Sequence, residues 1–193
     1  MKKLIVAVLA SSALAAPAAA ETGKVDTEAY VAEANAIIKD FMTNLKGELK
    51  RALKNEGPVG AIGVCQEAAP AVTRDVAAKH DWDVGRTALR LRNQDNAPDE
   101  WERKVLEDFI AQREEGADPK TLSVTKVVSS DGETTFRYMK AIPLAEKPCA
   151  TCHGTNVDPD LRAEILKRYP QDEAVGFEAG EIRGAFTLSR KIN

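Results

Sequence analysis

Residues 121–142 read TLSVTKVVSSDGETTFRYMKAI, and this stretch decides the fold. It predicts two strands, near Thr121–Ser129 and Thr134–Ile142, joined by a turn at Asp131-Gly132. Strands joined by so short a turn pair antiparallel. The stretch therefore predicts a β-hairpin that belongs to an antiparallel sheet.

Helices and further strands flank the hairpin in sequence. Apolar residues at helical spacing predict a helix from Asp26 to about Asn55, and Gly57-Pro58 is expected to end it. The other predicted elements are helices over 59–80, 98–116 and 159–169 and strands over 85–92 and 182–190. Because hairpin strands are combined with separate helices, we predict a single α+β domain, an antiparallel sheet with flanking helices, and not an all-helical protein.

The first twenty residues are typical of a secretory signal peptide. Lys2 and Lys3 supply its positive charge, Leu4 to Ala10 form its apolar region, and an A-x-A-like site predicts cleavage after Ala20. The apolar run is too short and too interrupted to span a membrane permanently. We therefore expect a mature domain of 193 − 20 = 173 residues, 21–193, exported without a membrane span and periplasmic in a Gram-negative cell.

The charge of the chain excludes one class of partner. The full chain carries 27 Lys and Arg against 30 Asp and Glu, and without Lys2 and Lys3 the balance becomes 25 − 30 = −5. A nucleic-acid-binding surface needs a basic patch or stripe. A mildly acidic chain of this kind offers no such footprint, and we predict no nucleic-acid partner.

A second motif, Cys149-Ala150-Thr151-Cys152-His153, predicts a cofactor. The spacing C-x-x-C-H is the attachment signature of a c-type haem, in which both thiols form thioethers with vinyl groups and the histidine is the proximal iron ligand. Structural zinc needs a further Cys or His pair, which the sequence does not show. A thioredoxin-like pair follows a strand, whereas this motif follows a Pro-bounded loop, and a disulfide leaves His153 unexplained. We therefore predict one covalently attached haem c.

The residues alone leave the sixth ligand of the iron open. The candidates are Cys65, His80, Met139, a lysine, water or no ligand. A lone cysteine is often a small buried apolar residue, but the glycines at 57, 60 and 63 favour a close approach of a flat ring beside Cys65. His80 stands at a polar helix end, where a capping or surface role is more common. Met139 lies in an apolar strand, where methionine is more often a packing residue.

Six segments of the chain together resemble one family. They are Gly-Pro-x-x-Ala-Ile-x-x-Cys at 57–65, Arg90-Leu91-Arg92-Asn93 with Asn96-Ala97-Pro98, Phe136-Arg137-Tyr138-Met139-Lys140-Ala141-Ile142, Cys149-Ala150-Thr151-Cys152-His153-Gly154, Tyr169-Pro170-Gln171-Asp172-Glu173-Ala174-Val175-Gly176 and Gly180-Glu181-Ile182-Arg183-Gly184. In this order and combination they are similar to the Tll0287-like haem family, also described as a domain of unknown function. The resemblance covers nearly the whole mature chain.

This resemblance implies a PAS-like fold, a mixed sheet with flanking helices. It also implies an unusual His/Cys pair of axial ligands, with His153 on the proximal side and Cys65 at the position of the family's cysteine ligand. The chain departs from the family pattern Arg-Asn-Pro-x-Asn, which here reads Arg92-Asn93-Gln94-Asp95-Asn96. The turn at this point must therefore form without its proline.

A His/Cys ligand pair favours a sensor. A metal-bound thiol is a thiolate whose charge stabilises ferric iron, so we expect a low reduction potential. If reduction weakens the bond to Cys65, a position opens for a small ligand such as CO or NO, which a redox or gas sensor requires. The resemblance also implies a sensory role, read by an unknown redox or signalling partner. The alternative is a soluble electron-transfer protein, and an enzyme such as a peroxidase, which needs an open distal site, ranks last.

Several side chains are further candidates for contact with a haem. Guanidinium groups match carboxylates, so arginines are expected to pair with the propionates, although most strand arginines are solvated. The candidate arginines are Arg86, Arg90, Arg92, Arg137 and Arg183. Tyr138 and Phe177 are candidates for packing on the ring or in the core.

Overall fold

A computed structural model describes residues 27–192 of the chain. The predicted signal peptide, residues 1–20, lies outside the described residues, so its cleavage stays a prediction. Within 27–192, none of the helices combines the length and the apolar character needed to cross a membrane.

A four-stranded sheet forms the centre of the fold. Its strands are β1 (Asp83–Thr87), β2 (Ser123–Ser130), β3 (Glu133–Pro143) and β4 (Ile182–Ile192), in the spatial order β1-β4-β3-β2. All neighbouring strands pair antiparallel. The predicted α+β class with a PAS-like antiparallel sheet is confirmed, while the mixed sheet implied by the resemblance is wrong for these four strands.

The turn between β2 and β3 explains the predicted hairpin. Asp131 and Gly132 have positive φ angles of 53° and 81°. Positive φ at both central residues is the mark of a two-residue hairpin turn whose twist matches that of the strands. Ser130 consequently pairs with Glu133, and this short turn sets the register of the whole β2–β3 pair.

The strand predicted over 85–92 is wrong in its second half. Pairing of β1 with β4 ends at Thr87, opposite Ala185. Beyond Thr87 the chain leaves the sheet, and the Arg92 side chain turns inward to bind Asp172, with 3.0 Å between Nε and Oδ1. The alternation of apolar and polar residues over 88–92 is typical of a strand. The ion pair that turns Arg92 inward involves a residue far along the chain, so the local sequence does not indicate it.

Five helices surround the sheet. They are α1 (Thr27–Gly63), α2 (Ala69–His80), α3 (Glu100–Glu114), α4 (Ala150–His153) and α5 (Pro159–Arg168), with a π-helical turn, Val64–Ala68, between α1 and α2 and a 3₁₀ turn at Gln94–Asn96. The predicted helix end at Gly57-Pro58 coincides with a kink that divides α1 into two helical segments. Gly57 has φ 71°, outside the helical region, but the helix resumes directly and runs on to Gly63.

The turn that lacks the family's proline is closed by an asparagine. The Asn93 side chain accepts a hydrogen bond from the backbone N–H of Asp95 at 3.2 Å. Asparagine side chains commonly close turns in this way, two residues before the donor. Asn93 therefore shapes the entry to the 3₁₀ turn without any restriction from a proline ring.

Two apolar clusters cover the two faces of the sheet. On one face, α1 packs Ile37 and Phe41 against Phe186 and other residues of the sheet. On the opposite face, α3 packs Leu106 against Met139. The two helices thus divide the molecule into a face covered by α1 and a face covered by α3, and the candidate site lies on the α1 side.

Candidate functional site

A large pocket opens between the second half of α1 and the sheet. The space between its walls that no protein atom occupies is about 1190 Å³, a volume that includes solvent at the open mouth. Its walls are mainly apolar. They include Met42, Leu45, Leu49, Leu53, Ala61, Ile62, Ala88, Leu91, Ile142, Pro143, Leu144, Pro148 and Phe186. A concave, mostly apolar pocket with a few polar groups is the usual form of a cofactor site.

The four predicted site residues all line this pocket. Cys65 comes from the π-helical turn. Cys149 directly precedes α4, and Cys152 and His153 lie within it. The three thiols are unpaired and half-buried. Although 84 residues separate Cys65 from Cys149 in the chain, the fold brings the lone cysteine and the motif into one cavity.

The environment of Cys65 keeps its free thiol neutral. Cys65 lies in a π-helical turn, a feature that occurs frequently at functional sites in helices. Burial raises the pKa of the thiol, opposed in part by the positive charges of Arg92, Arg86 and Arg183. A metal ion bound to the sulfur would displace this proton, because a coordinating thiol is deprotonated outright.

The ring of His153 is oriented by a backbone carbonyl. Its Nδ1 lies 2.7 Å from the carbonyl oxygen of Ala174, which can only accept, so Nδ1 carries the proton and Nε2, which faces Arg92 Nη1 at 3.4 Å, is unprotonated. The Arg183 Nε also lies 3.2 Å from Nδ1, but a nitrogen that donates to Ala174 cannot accept a second hydrogen bond. Burial, and then the charges of Arg183 and Arg92, hold the pKa of His153 well below its usual range.

These residues fit a haem. His153 presents a neutral imidazole whose Nε2 is unprotonated, the form in which histidine binds metals. Cys65 supplies a sulfur donor to the same pocket, and Cys149 and Cys152 supply two free thiols at thioether spacing. The apolar walls suit the faces of a porphyrin ring.

Sequence reasoning missed the role of Asp172. Its carboxylate accepts from Arg92 at 3.0 and 3.2 Å and forms an ion pair with Arg162. Arg92 in turn donates to the backbone carbonyl of Cys152 at 2.6 Å and lies 3.4 Å from the Nε2 of His153. Asp172 thus fixes the guanidinium that touches the motif Cys149–His153. In the sequence, Asp172 stands in segment 169–176, one of the six segments that carry the family resemblance.

The two alternative protein ligands named individually lie outside the pocket. His80 is the last residue of α2, and its Nε2 is 3.4 Å from Asp40 Oδ2. Met139 is fully buried in the cluster under α3, on the opposite face of the sheet. The structure therefore places His80 at a helix end and Met139 in the core, the roles that their residue types favoured.

The remaining candidates divide into two groups. Arg86, Arg92 and Arg183 line the pocket. Arg137 does not line it, and its guanidinium instead pairs with Asp99 at 2.7 Å near α3. The others are also outside the lining: Tyr138 is buried in the core, and Arg90 lies over the Phe177 ring at 4.1 Å.

The glycine argument for Cys65 is wrong, although Cys65 does reach the pocket. None of the glycines at 57, 60 and 63 lines it. Gly57 serves the kink through its positive φ, and a Cβ on Gly60 would meet the Glu56 side chain of the same helix. The apolar pocket wall on this side is made by Ala61 and Ile62 instead.

Comparison with known proteins agrees with this fold. A family model described as Tll0287-like, Tll0287, matches residues 18–190. No match was found among curated proteins. Among solved structures, the one titled "Crystal structure of the cyanobacterial heme-protein Tll0287" is similar, with a TM-score of 0.61 and 21% sequence identity, over 83% of this chain and 93% of that chain. At this identity the likeness shows a shared fold. Since the family model spans most of the chain, the chain belongs to the Tll0287-like family.

Proposed function

We propose that this chain is an exported haem protein that carries one covalently attached haem c and acts in the periplasm as a redox or small-ligand sensor. The observation that carries the proposal is the meeting of Cys65, Cys149, Cys152 and His153 in one apolar pocket. Membership of the Tll0287-like family, and the shared fold with a cyanobacterial haem protein, support haem as the ligand.

Each site residue has a separate role in this proposal. Cys149 and Cys152 would hold the porphyrin through thioethers, and the iron would be bound by Nε2 of His153 and by the sulfur of Cys65. The bound haem would supply a one-electron redox centre. The carbonyl of Ala174 keeps Nδ1 of His153 protonated, which fixes the ring and directs Nε2 into the pocket.

Cys65 is the reason for proposing a sensor. As a thiolate it stabilises ferric charge, and its buried surroundings favour the neutral thiol once the sulfur is released. We expect reduction to release the sulfur, which would leave a position for a diatomic ligand. Because Cys65 lies in the turn between α1 and α2, its release would act on both helices. With Cys65 bound at rest there is no open site for peroxide, so we expect no peroxidase activity.

Covalent attachment can be tested by producing the chain, signal included, in a bacterial periplasm that matures c-type haem. We expect haem to stay with the polypeptide through denaturing electrophoresis. The Cys149→Ala/Cys152→Ala double variant should lose the haem under these conditions, and Cys65→Ala should keep it. Haem that leaves the unsubstituted chain on denaturation would contradict the proposal.

The sensor role can be tested by titrating CO into the ferric and the dithionite-reduced protein. We expect CO to bind only after reduction, with loss of the spectral features that depend on Cys65. If reduction leaves the ligation unchanged and CO does not bind, the protein is an electron carrier and the sensor proposal fails.

A further inference from the structure

Two of the three arginines in the pocket have no carboxylate partner. Arg92 is bound by Asp172 through two nitrogens. Among the ion pairs formed within residues 27–192, none includes Arg86 or Arg183. The pocket therefore holds two more positive charges than its own side chains neutralise.

The contacts that Arg86 and Arg183 do make leave their charges uncompensated. The Arg86 guanidinium lies 5.2 Å from the centroid of the Phe41 ring. That of Arg183 lies 5.5 Å from the Phe177 ring, donates through Nη1 to the carbonyl of Arg90 at 3.3 Å and has its Nε 3.2 Å from Nδ1 of the neutral His153. Ring faces and a carbonyl oxygen orient a guanidinium but carry no formal charge.

Guanidinium groups that are partly shielded from water are normally paired with an opposite charge. Arg86 and Arg183 are both half-buried, and the desolvation of an ion is offset when an opposite charge lies beside it. Arg86 and Arg183 lie on β1 and β4, which are adjacent strands, so both charges enter the pocket from the same part of the sheet.

We propose that Arg86 and Arg183 are the two carboxylate-binding residues of this pocket, one for each propionate of the bound porphyrin. The inference rests on the proposed haem function and adds which residues orient the ring. Guanidinium forks match carboxylates in shape and charge. The two propionates of a haem lie on one edge and its two vinyl groups lie elsewhere on the ring. The arginines would thus hold the propionate edge of the porphyrin and the cysteine pair its vinyl groups. Together these contacts would allow the ring only one orientation in the pocket. Arg92, occupied by Asp172, positions His153 instead.

The proposal can be tested without the covalent bonds, in the Cys149→Ser/Cys152→Ser variant of the full chain. Hemin and its dimethyl ester, which differ only in the two carboxylates, are titrated into this protein and followed by the Soret absorbance. We expect hemin to bind about tenfold or more tightly than the ester, since a charged hydrogen bond is worth at least this factor. Adding Arg86→Gln or Arg183→Gln should weaken hemin binding by about the same factor and leave ester binding unchanged. The matched control, Arg103→Gln, removes an exposed charge on α3 and should change neither affinity.

The outcomes distinguish a failure of the carboxylate assignment from a failure of the proposed haem function. Equal affinities for hemin and the ester, or an equal loss of both in the arginine variants, would overturn the carboxylate assignment while haem binding stands. If the folded parent binds neither compound, the haem function itself fails. Far-UV circular dichroism shows whether each variant is folded, and Arg86→Lys and Arg183→Lys, which keep the charge, should retain part of the preference for hemin.

Discussion

Among the single residues of the site, Asp172 connects the two segments that surround His153. Its side chain is fully buried, and it accepts hydrogen bonds from Arg92 and from the backbone N–H of Ala174. Arg92 extends the connection to the carbonyl of Cys152. The carboxylate and guanidinium thereby join the 88–92 segment, the motif Cys149–His153 and the chain after α5.

Replacing this carboxylate should destabilise the protein strongly. In Asp172→Asn, Arg92 keeps its buried position but loses its counter-charge. Breaking a buried pair in this way costs about 3–5 kcal/mol of the free energy of unfolding. Urea unfolding at pH 7 measures the loss. The control is Glu133→Gln, which breaks an exposed pair with Lys191 and should cost less than about 1 kcal/mol. Equal effects of the two substitutions would contradict the assigned role.

The same carboxylate predicts a dependence of stability on pH. Burial acts to raise the pKa of Asp172, but hydrogen bonds and charge from Arg92, together with the Ala174 N–H, outweigh it and lower the pKa. A lowered pKa in the folded state means that the contribution is complete above the unfolded value, about 3.9, and is lost as the pH falls through the folded value. The stability difference between the natural protein and Asp172→Asn should therefore narrow below about pH 4. A difference that stays constant down to pH 2 would refute this explanation.

At the scale of helices and strands, β4 lies unusually close to the end of β1 where the two strands form one wall of the pocket. Gly184 lines the pocket, and a Cβ at this position would meet the carbonyl oxygen of Thr87 at 2.5 Å and the Cβ of Ala88 at 3.1 Å. The obstructing oxygen belongs to the backbone and cannot turn aside. Only glycine lets the two segments lie this close.

Two glycine substitutions should therefore have opposite effects. Gly184→Ala is expected to cost about 1–3 kcal/mol of the free energy of unfolding, as overpacking does elsewhere. Gly47→Ala, at an exposed position of α1 with no atom within 4 Å of the new Cβ, should add about 0.5–1 kcal/mol, because alanine is the better helix former. Urea unfolding of both variants provides the comparison, and a Gly184→Ala protein as stable as the parent would disprove the close contact.

The elements that the sequence predicted well are those with local signals. The turn at Asp131-Gly132 occupies two consecutive residues, and the pairing of Ser130 with Glu133 confirms it. The inward turn of Arg92 depends on Asp172, eighty positions away, so alternation over 88–92 was mistaken for a strand. The face on which Met139 lies was equally hidden, because a central strand such as β3 is buried on both sides.

For the chain as a whole, the two faces of the sheet differ in what they carry. The α3 side is a packed apolar cluster, whereas the α1 side combines a core near Phe41 with the pocket that holds the four site residues. The sequence indicated both the motif and Cys65, but only the fold shows that they share a cavity. Long-range pairing of β4 with both β1 and β3 produces this arrangement, and no local pattern encodes it.

Export predicts a defined mature chain. Cleavage after Ala20 should give a protein that begins at Glu21 and carries a formal charge of 25 − 30 = −5. Intact-mass and N-terminal peptide analysis of protein from the periplasmic fraction measures this. A chain recovered in the cytoplasm with Met1 to Ala20 still attached would contradict export.

The most direct test of the account is the ferric electron paramagnetic resonance and electronic spectrum of the haem-loaded protein, recorded beside Cys65→Ala. The central claim is that Cys65 and His153 bind one haem iron from opposite sides of the pocket. It predicts a low-spin, thiolate-type signal in the parent that disappears in Cys65→Ala, while haem stays attached through Cys149 and Cys152. Identical spectra from the two proteins would show that Cys65 only lines the pocket, and would contradict the claim.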